Sequence, residues 1–161
     1  MKVFVGCDNG ITGSIGIISD NEIKFFHTPI KKELSYTKKK QWISRIDGNK
    51  LYTLLQPYAD TNTIVSLERP MINPLRWKAS MSAIRALEAT LIVVESLNLS
   101  YSYLDSKQWQ KKLLPAGLKK EEIKEASLQI GKRTFPQVDF KGFKDADGLL
   151  IAHYLKEKSG N

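Results

Sequence analysis

An apolar strand that ends in a single acid, Asp8, constrains this chain more than any other feature of its sequence. Residues 3–7 are apolar at both alternating sets of positions, which predicts a strand covered on both faces. A glycine-rich turn follows at once and a β pattern resumes by Ile15, so residues 2–18 predict a hairpin. A turn aspartate without a chemical role would fit this stretch equally well.

The composition predicts one globular domain whose surface attracts polyanions. The 161 residues suit a single domain over 1–161 with a substantial core. Its 25 basic side chains outnumber 17 acidic ones, and the net charge of +8 favours nucleic acid or acidic lipid as a partner. One cysteine, Cys7, excludes an internal disulfide framework and fits a reducing cytosol. With neither a signal peptide nor a membrane span in the pattern, we expect a cytoplasmic protein of a bacterial or phage-infected cell.

Strands and helices alternate after the first hairpin. Lys31–Lys40 holds five lysines among few apolar residues, which predicts a solvated loop that can contact phosphate. The other predicted elements are a strand over 22–28, a helix capped by Asp47 and running to about Pro57, strands over 63–67 and 99–104, a helix capped by Asp105 and running through Leu113, and a helix over 119–131.

A second acid, Glu68, repeats the placement of Asp8, because it follows the apolar strand 63–67 directly. If the two strands lie side by side, both carboxylates meet at one edge of the sheet, where open α/β folds commonly bind ligands. A salt bridge with Arg69 or another arginine is the alternative role for Glu68.

The helix predicted over residues 79–97 carries apolar side chains on more than one face. Such a helix is either central to the fold or half buried in a partner subunit.

Two further acids, Asp145 and Asp147, precede the last helix. Helix capping accounts for one of them. Asp147 shares a face with Leu150, Ile151 and Tyr154, so it continues the buried stripe of that helix. A carboxylate facing the core is costly unless it is paired or binds a cation.

Together, Asp8, Glu68, Asp145 and Asp147 describe an all-oxygen site suited to Mg²⁺ or Mn²⁺. His153 lies about 240° around the helix from Asp147, which argues against it as a ligand. Carboxylates that hold two ions about 4 Å apart can catalyse phosphodiester hydrolysis, and the basic surface matches a nucleic acid substrate.

The chain resembles the RuvC-type Holliday-junction resolvases of the RNase H-like superfamily. The resemblance rests on five segments in order: VGCDNGITGSIGII, VSLERPM, SAIRALEATLIVVESL, YLDSKQWQKKLLPAGLKKEEI and DADGLLIA. It implies an RNase H-like α/β fold, with a mixed five-stranded sheet that starts with three antiparallel strands and is flanked by helices. It also implies a homodimer joined through the helix around residues 79–97. The implied activity is paired nicking of four-way DNA junctions by Mg²⁺-activated water, leaving 5′-phosphate and 3′-hydroxyl ends.

The resemblance also assigns roles to individual residues. Asp8, Glu68 and Asp147 match the family's metal ligands, Lys107 and Lys119 match basic residues near the scissile strand, and Met71 stands where the family has an apolar wedge. One departure is Lys144, which stands where the family commonly has an acid or a histidine. Asp145 can replace that ligand only if it lies in the turn before the helix; otherwise it caps the helix, Lys144 approaches the phosphate, and a single ion binds tightly.

Basic side chains around these segments are candidate phosphate contacts, although each can equally be a solvated surface charge. They are Arg69, Arg76, Lys78, Lys107, Lys111, Lys112, Lys119 and Lys120. Trp77 and Trp109 can stack on bases or pack in the core.

Three other functions fit parts of the pattern. Sugar kinases and actin-like ATPases open with a similar hairpin, but they need a second nucleotide-binding domain that this chain lacks. A general branched-DNA or flap nuclease of the same fold and a catalytically inactive junction-binding protein are the remaining alternatives.

Overall fold

A mixed five-stranded sheet lies at the centre of the computed structural model, which describes residues 2–160. The strands are β1 Val3–Cys7, β2 Ser14–Ile18, β3 Ile23–His27, β4 Ile30–Leu34, β5 Trp42–Ile46, β6 Thr63–Glu68 and β7 Ser100–Leu104. The helices are α1 Gly48–Leu55, α2 Trp77–Ser96, α3 Ser106–Leu113, α4 Ile123–Thr134 and α5 Asp147–Ser159, with short 3-10 turns at Gln56–Tyr58 and Pro74–Arg76.

The sheet has the strand order β3-β2-β1-β6-β7. The first three strands pair antiparallel, whereas β6 pairs parallel with both β1 and β7. This order confirms the predicted five-stranded mixed sheet with an antiparallel three-stranded start.

Helices cover both faces of the sheet, as the doubly apolar β1 predicts. On one face, α1 and α2 pack over the side chains of Val3, Val5 and Cys7. On the other face, α3, α4 and α5 enclose a second core that contains the fully buried Trp109 and Leu150. Among the described residues, no helix is both long and apolar enough to cross a membrane.

The helix α5 lies directly on the backbone of β1 and β2. A Cβ atom added to Gly6 would lie 2.2 Å from the carbonyl oxygen of Gly148, and one added to Gly16 would lie 2.3 Å from the Cα of Leu149. Any side chain at either glycine would therefore push α5 away from the sheet. This close approach determines how near the start of α5 comes to the end of β1.

The basic stretch Lys31–Lys40, predicted as a loop, is partly a hairpin, so that prediction is wrong for residues 31–34, which belong to β4. Here β4 pairs antiparallel with β5 in a separate two-stranded sheet, and only residues 35–41 form the connecting loop. Ile46 is buried and an ion pair of 2.5 Å joins Glu33 to Arg45 across the strands. The run of lysines concealed this hairpin, in which Ile30, Leu34 and Trp42 are exposed and Ile46 packs into the core.

Two other predictions concern helices. The helix expected over 119–131 starts four residues later, because residues 119–122 form a turn in which the N–H of Lys119 donates to Glu122 Oε2 at 2.7 Å. On α2, Val93 and Val94 are buried against the sheet while Ile84 and Ile92 stay exposed, so the helix is central to the fold and also leaves apolar side chains at the surface.

Candidate functional site

Two acids stand side by side where β1 and β6 end. Cys7 is the register partner of Leu67 in this parallel pair, so the residues that follow them, Asp8 and Glu68, leave the sheet at the same edge. The N–H of Asp8 donates to the carbonyl of Ser14 at 3.0 Å, which closes the hairpin behind the carboxylate. The predicted meeting of two carboxylates at one sheet edge is therefore found in the structure.

The beginning of α5 adds two more acids to this edge. Asp8, Asp145 and Asp147 each offer a carboxylate oxygen, and these three oxygens lie within 4.8 Å of one another. Asp145 precedes the helix, which meets the condition under which it can join Asp147. Its carboxylate also accepts a hydrogen bond of 3.3 Å from the N–H of Asp147. Asp145 therefore faces the acidic cluster and also stabilises the start of α5.

Glu68 stands beside this group and is held by Trp109. The indole Nε1–H donates to Glu68 Oε1 at 2.9 Å, and Glu68 also shares a hydrogen bond with Asp8. Trp109 is completely buried in α3, so base stacking is ruled out for it and core packing is its structural role. A rigid, buried donor limits the orientations open to Glu68.

Ser127 on α4 holds Asp147 in the same way. Its hydroxyl donates to Asp147 Oδ1 and accepts the N–H of Ala146 at 3.1 Å. Ser127 is completely buried, since α4 lies close to the residues that precede α5. The serine therefore fixes both the backbone and the carboxylate at the start of that helix.

A lysine enters the acidic group from α4. Lys124 Nζ lies 3.0 Å from Asp145 Oδ2, and the carboxylate is nearly buried while the lysine remains largely exposed. The contact with Asp145 raises the pKa of Lys124, so its ammonium stays charged at neutral pH. One fixed positive charge thus offsets part of the acidic cluster.

Crowding of buried acids shifts their protonation. Burial, followed by repulsion from Asp145, raises the pKa of Asp147 to about 7. Burial and the neighbouring carboxylates also raise the pKa of Asp8, and burial raises that of Glu68. Perturbed carboxylates that converge at the edge of a sheet are typical of functional sites.

The donors suit a hard divalent cation. All are carboxylate oxygens, the ligands that Mg²⁺ and Mn²⁺ prefer, and three of them are close enough to share one ion. A divalent cation would also relieve the repulsion that raises the pKa values of Asp8 and Asp147. The residues present therefore fit a metal centre.

A groove of about 480 Å³ opens in front of Glu68 and Asp147. The predicted DNA contacts Arg69, Met71, Arg76 and Lys120 line it, and Met71 is 77% exposed. Arg69 forms an exposed ion pair of 3.3 Å with Asp105, so the alternative pairing of Arg69 with Glu68 does not occur. A chain of phosphates lying in this groove would pass the basic side chains and also the two acids that line it.

The other predicted contacts lie elsewhere. Lys107 and Lys111 line a neighbouring cavity of about 350 Å³, and Lys78 lines a groove on the far side of α2. Lys119 is exposed in the turn before α4. Lys112 pairs with Glu157 at 2.9 Å, which matches the alternative of a surface charge.

Two residues flank the acids without joining them. Lys144 is exposed and lines a cavity of about 310 Å³ together with His27 and Asp145. His153 packs against Phe135 and lies 3.4 Å from Glu157, apart from the acidic group.

Sequence reasoning missed the roles of three residues of the site. These are Ser127, Lys124 and Trp109, the last as the hydrogen-bond donor to Glu68. Ser127 carries a weak sequence signal, because a serine that lies one helical turn from Ile123 and Ile130 is a polar residue on an apolar face. Lys124 has no such signal, since a lysine in a chain with this many basic side chains does not identify its partner.

Two solved structures of RuvC from Thermus thermophilus have the fold of this chain. RuvC in complex with a Holliday junction substrate aligns with a TM-score of 0.60 at 14% sequence identity, covering 100% of this chain and 98% of that one. A further Thermus thermophilus RuvC structure aligns with a TM-score of 0.56 at 18% identity, covering 98% and 96% of the two chains. No protein-family model and no curated protein matches the sequence. The likeness confirms the RNase H-like fold that the five segments predicted.

Proposed function

We propose that this protein is a structure-specific DNA endonuclease that resolves four-way junctions by paired nicks. The observation that carries the proposal is the convergence of four acids, Asp8, Glu68, Asp145 and Asp147, from three distant segments next to a basic groove that Glu68 and Asp147 line. The fold is that of a RuvC whose solved complex contains a Holliday junction, which supports the choice of substrate.

Each acid has a defined part in holding Mg²⁺, for which Mn²⁺ can substitute, with two ions per site. Asp8, Asp145 and Asp147 would share an ion, and Glu68 beside Asp8 would hold the second. When bound, such ions lower the pKa of water and stabilise the leaving oxygen of a phosphodiester. Attack by that water on phosphorus with the 3′-oxygen as the leaving group would give 5′-phosphate and 3′-hydroxyl ends without a side-chain nucleophile.

The remaining residues of the site position ligands and substrate. Trp109 and Ser127 orient Glu68 and Asp147, and such supporting partners usually matter almost as much as the ligands themselves. Arg69, Arg76 and Lys120 neutralise phosphates along the groove, and Met71 is the apolar side chain that enters the junction. Lys78, Lys107 and Lys111, which line neighbouring cavities, and the exposed Lys119 contact phosphates farther along the arms.

Paired nicks need two active sites, and α2 supplies a surface for a homodimer. Ile84 and Ile92 are exposed on one side of this helix, and the two acids Glu88 and Glu95 accompany them. We place the protein in the cytoplasm of a bacterial or phage-infected cell, where junctions form during DNA recombination and repair.

Cleavage of a synthetic four-way junction with mapped nick positions tests the proposal. Symmetric nicks across the junction that require Mg²⁺ or Mn²⁺ support it. Equal cleavage of a flap or of a plain duplex would instead favour a general branched-DNA or flap nuclease of the same fold.

A catalytically inactive junction-binding protein is the second candidate, favoured by one observation. Lys124 neutralises Asp145, and Lys144 stands where the family commonly has a ligand, so the site holds fewer free negative charges than a full complement of acids. Tight junction binding without nicks in either Mg²⁺ or Mn²⁺ would select this candidate.

A further inference from the structure

The first turns of α2 separate two grooves. Arg76, Ala79 and Ala83 face the active-site groove, whereas Trp77, Lys78 and Met81 face a second groove of about 400 Å³. The β4–β5 hairpin forms the opposite wall of the second groove. Because one helix is about 10 Å across, a polymer leaving the first groove over α2 reaches the second at once.

The hairpin concentrates positive charge. Residues 30–46 contain six lysines and arginines and one acid, so they hold more than half of the net charge of +8. That acid, Glu33, is already paired with Arg45. The hydrogen bond from Arg45 lowers the pKa of Glu33, so this acid stays ionised and paired with Arg45. The exposed lysines of the hairpin are therefore available to an outside partner.

Hydrogen bonds close the loop at the tip of the hairpin and define the backbone that carries its three lysines. Ser35 and Gln41 close the loop with a backbone hydrogen bond of 2.8 Å, and Thr37 Oγ1 donates to the carbonyl of Lys39 at 2.9 Å. Lys38, Lys39 and Lys40 are all exposed on this closed loop. A row of exposed cations beside a groove matches a row of phosphates better than it matches a single small anion.

Aromatic rings and an unpaired arginine atom complete the surface. Tyr36 is 85% exposed and Trp77 is 65% exposed, on opposite walls of the groove. Within residues 2–160, Arg85 Nε is buried without a hydrogen-bond partner beside this groove. Basic side chains interleaved with exposed rings are typical of nucleic acid binding.

We propose that this second groove and the β4–β5 hairpin bind one arm of the branched DNA substrate next to the active-site groove. The inference rests on the proposed function, whose substrate it locates on the protein. DNA is favoured over a second copy of the chain, because contact between two copies through this face would place the lysine clusters of both copies together.

A pair of triple variants tests the inference by salt-dependent binding. K38Q/K39Q/K40Q removes three charges from the hairpin tip, and K132Q/R133Q/K158Q removes three exposed charges from α4 and α5, across the sheet. Both variants have the same net charge, so only the location of the removed charges differs. Affinity for a synthetic four-way junction is measured without divalent ions, so that no strand is cut, over a series of salt concentrations.

We expect the plot of log affinity against log salt to flatten by about 0.9 for each phosphate that the protein no longer neutralises, and so by about 2 to 3 for the hairpin variant. Its affinity at ~0.1 M salt should fall at least about tenfold, whereas the control should stay within about twofold of the wild type. Equal slopes for the two variants overturn the inference, and so does a hairpin variant that changes the oligomeric state instead of the slope.

Wild-type cleavage in Mg²⁺ separates this inference from the proposed function. If the wild type nicks the junction and the two variants have equal slopes, only the second groove is refuted. If the wild type neither binds nor nicks the junction, the proposed function and the second groove are refuted together.

Discussion

The acidic cluster and the basic hairpin hold charge in opposite ways. The four acids lie in or beside the core, where Asp145 is only 6% exposed. Three of them are held by a neighbour: Glu68 by Trp109, Asp147 by Ser127 and Asp145 by Lys124. The lysines of the hairpin are exposed, and the hairpin has one ion pair across its strands, between Glu33 and Arg45.

The difference shows what each region requires. Charges crowded into a buried site raise the free energy of the folded protein until a counter-ion binds them. Charges in water cost almost nothing, and they gain energy only when a polyanion displaces their counter-ions. Substitutions should therefore affect catalysis and stability at the cluster, and only binding at the hairpin.

The largest effect is expected for Asp8→Asn. The amide cannot supply the anionic oxygen that the metal centre needs, so junction cleavage should fall at least about a thousandfold, the decrease expected when several kcal/mol of metal stabilisation disappear. Single-turnover cleavage measures this, and a gel-shift assay should show junction binding retained. The control is Asp20→Asn, which changes an exposed acid in the turn between β2 and β3. Unchanged cleavage by Asp8→Asn would remove Asp8 from the mechanism.

The next largest effect concerns Trp109→Phe. This change keeps an aromatic ring but removes the donor to Glu68, so cleavage or metal affinity should fall by about 10- to 100-fold. Loss of the hydrogen bond also raises the pKa of Glu68 further, so the acid limb of the pH–rate profile should move to higher pH.

Tyr58→Phe is the matched control for Trp109→Phe, because it removes a 2.8 Å hydrogen bond to a carboxylate, that of Glu22, away from the cluster. A drop in cleavage without any shift of the pH profile would mean that Trp109 acts through core packing alone.

The third prediction concerns stability of the metal-free protein. The pKa of Asp147 is about 7 when folded and near 3.8 when unfolded, so the folded state binds the proton more tightly between these values. The free energy of unfolding should therefore decrease as pH rises from about 4 to 7, where the folded protein releases the proton. Thermal melts in EDTA should give a lower Tm at pH 8 than at pH 5, and Mg²⁺ should raise the Tm more at pH 8.

His153 contributes in the opposite direction, because burial lowers its pKa and favours the folded state as pH rises. Asp147→Asn isolates the acid: the difference in Tm between pH 5 and pH 8 should shrink or reverse in this variant. An identical difference in Tm for wild type and variant would show that folding does not raise the pKa of Asp147.

The smallest effect is expected for the stability of the protein when charges are removed from the β4–β5 hairpin. K38Q/K39Q/K40Q should change the free energy of unfolding by no more than about 0.5 kcal/mol, because exposed charges away from caps and cores contribute little. Thermal melts of this variant and the wild type should coincide within about 2 °C. A clear stabilisation would mean that the three lysines repel one another strongly enough to strain the hairpin.

The sequence predicted the elements whose pattern is local. The strand before Asp8, the parallel strand before Glu68 and the helix capped by Asp47 follow from apolar periodicity and capping chemistry within a few residues. The hairpin around Lys32 was not predicted, since its pairing depends on partners across a loop and on the burial of Ile46, at the end of β5, in the core of the fold.

From the sequence by itself came the four candidate ligands, the basic character of the surface and the kind of fold, because these depend on residue type and short-range order. Only the tertiary structure decided that Trp109, Ser127 and Lys124 hold those ligands, and that α5 rests on Gly6 closely enough to bring Asp147 to Asp8. Contacts of this kind join residues far apart in the chain, and their distances follow from how helices and strands pack together. No local pattern in the sequence records them.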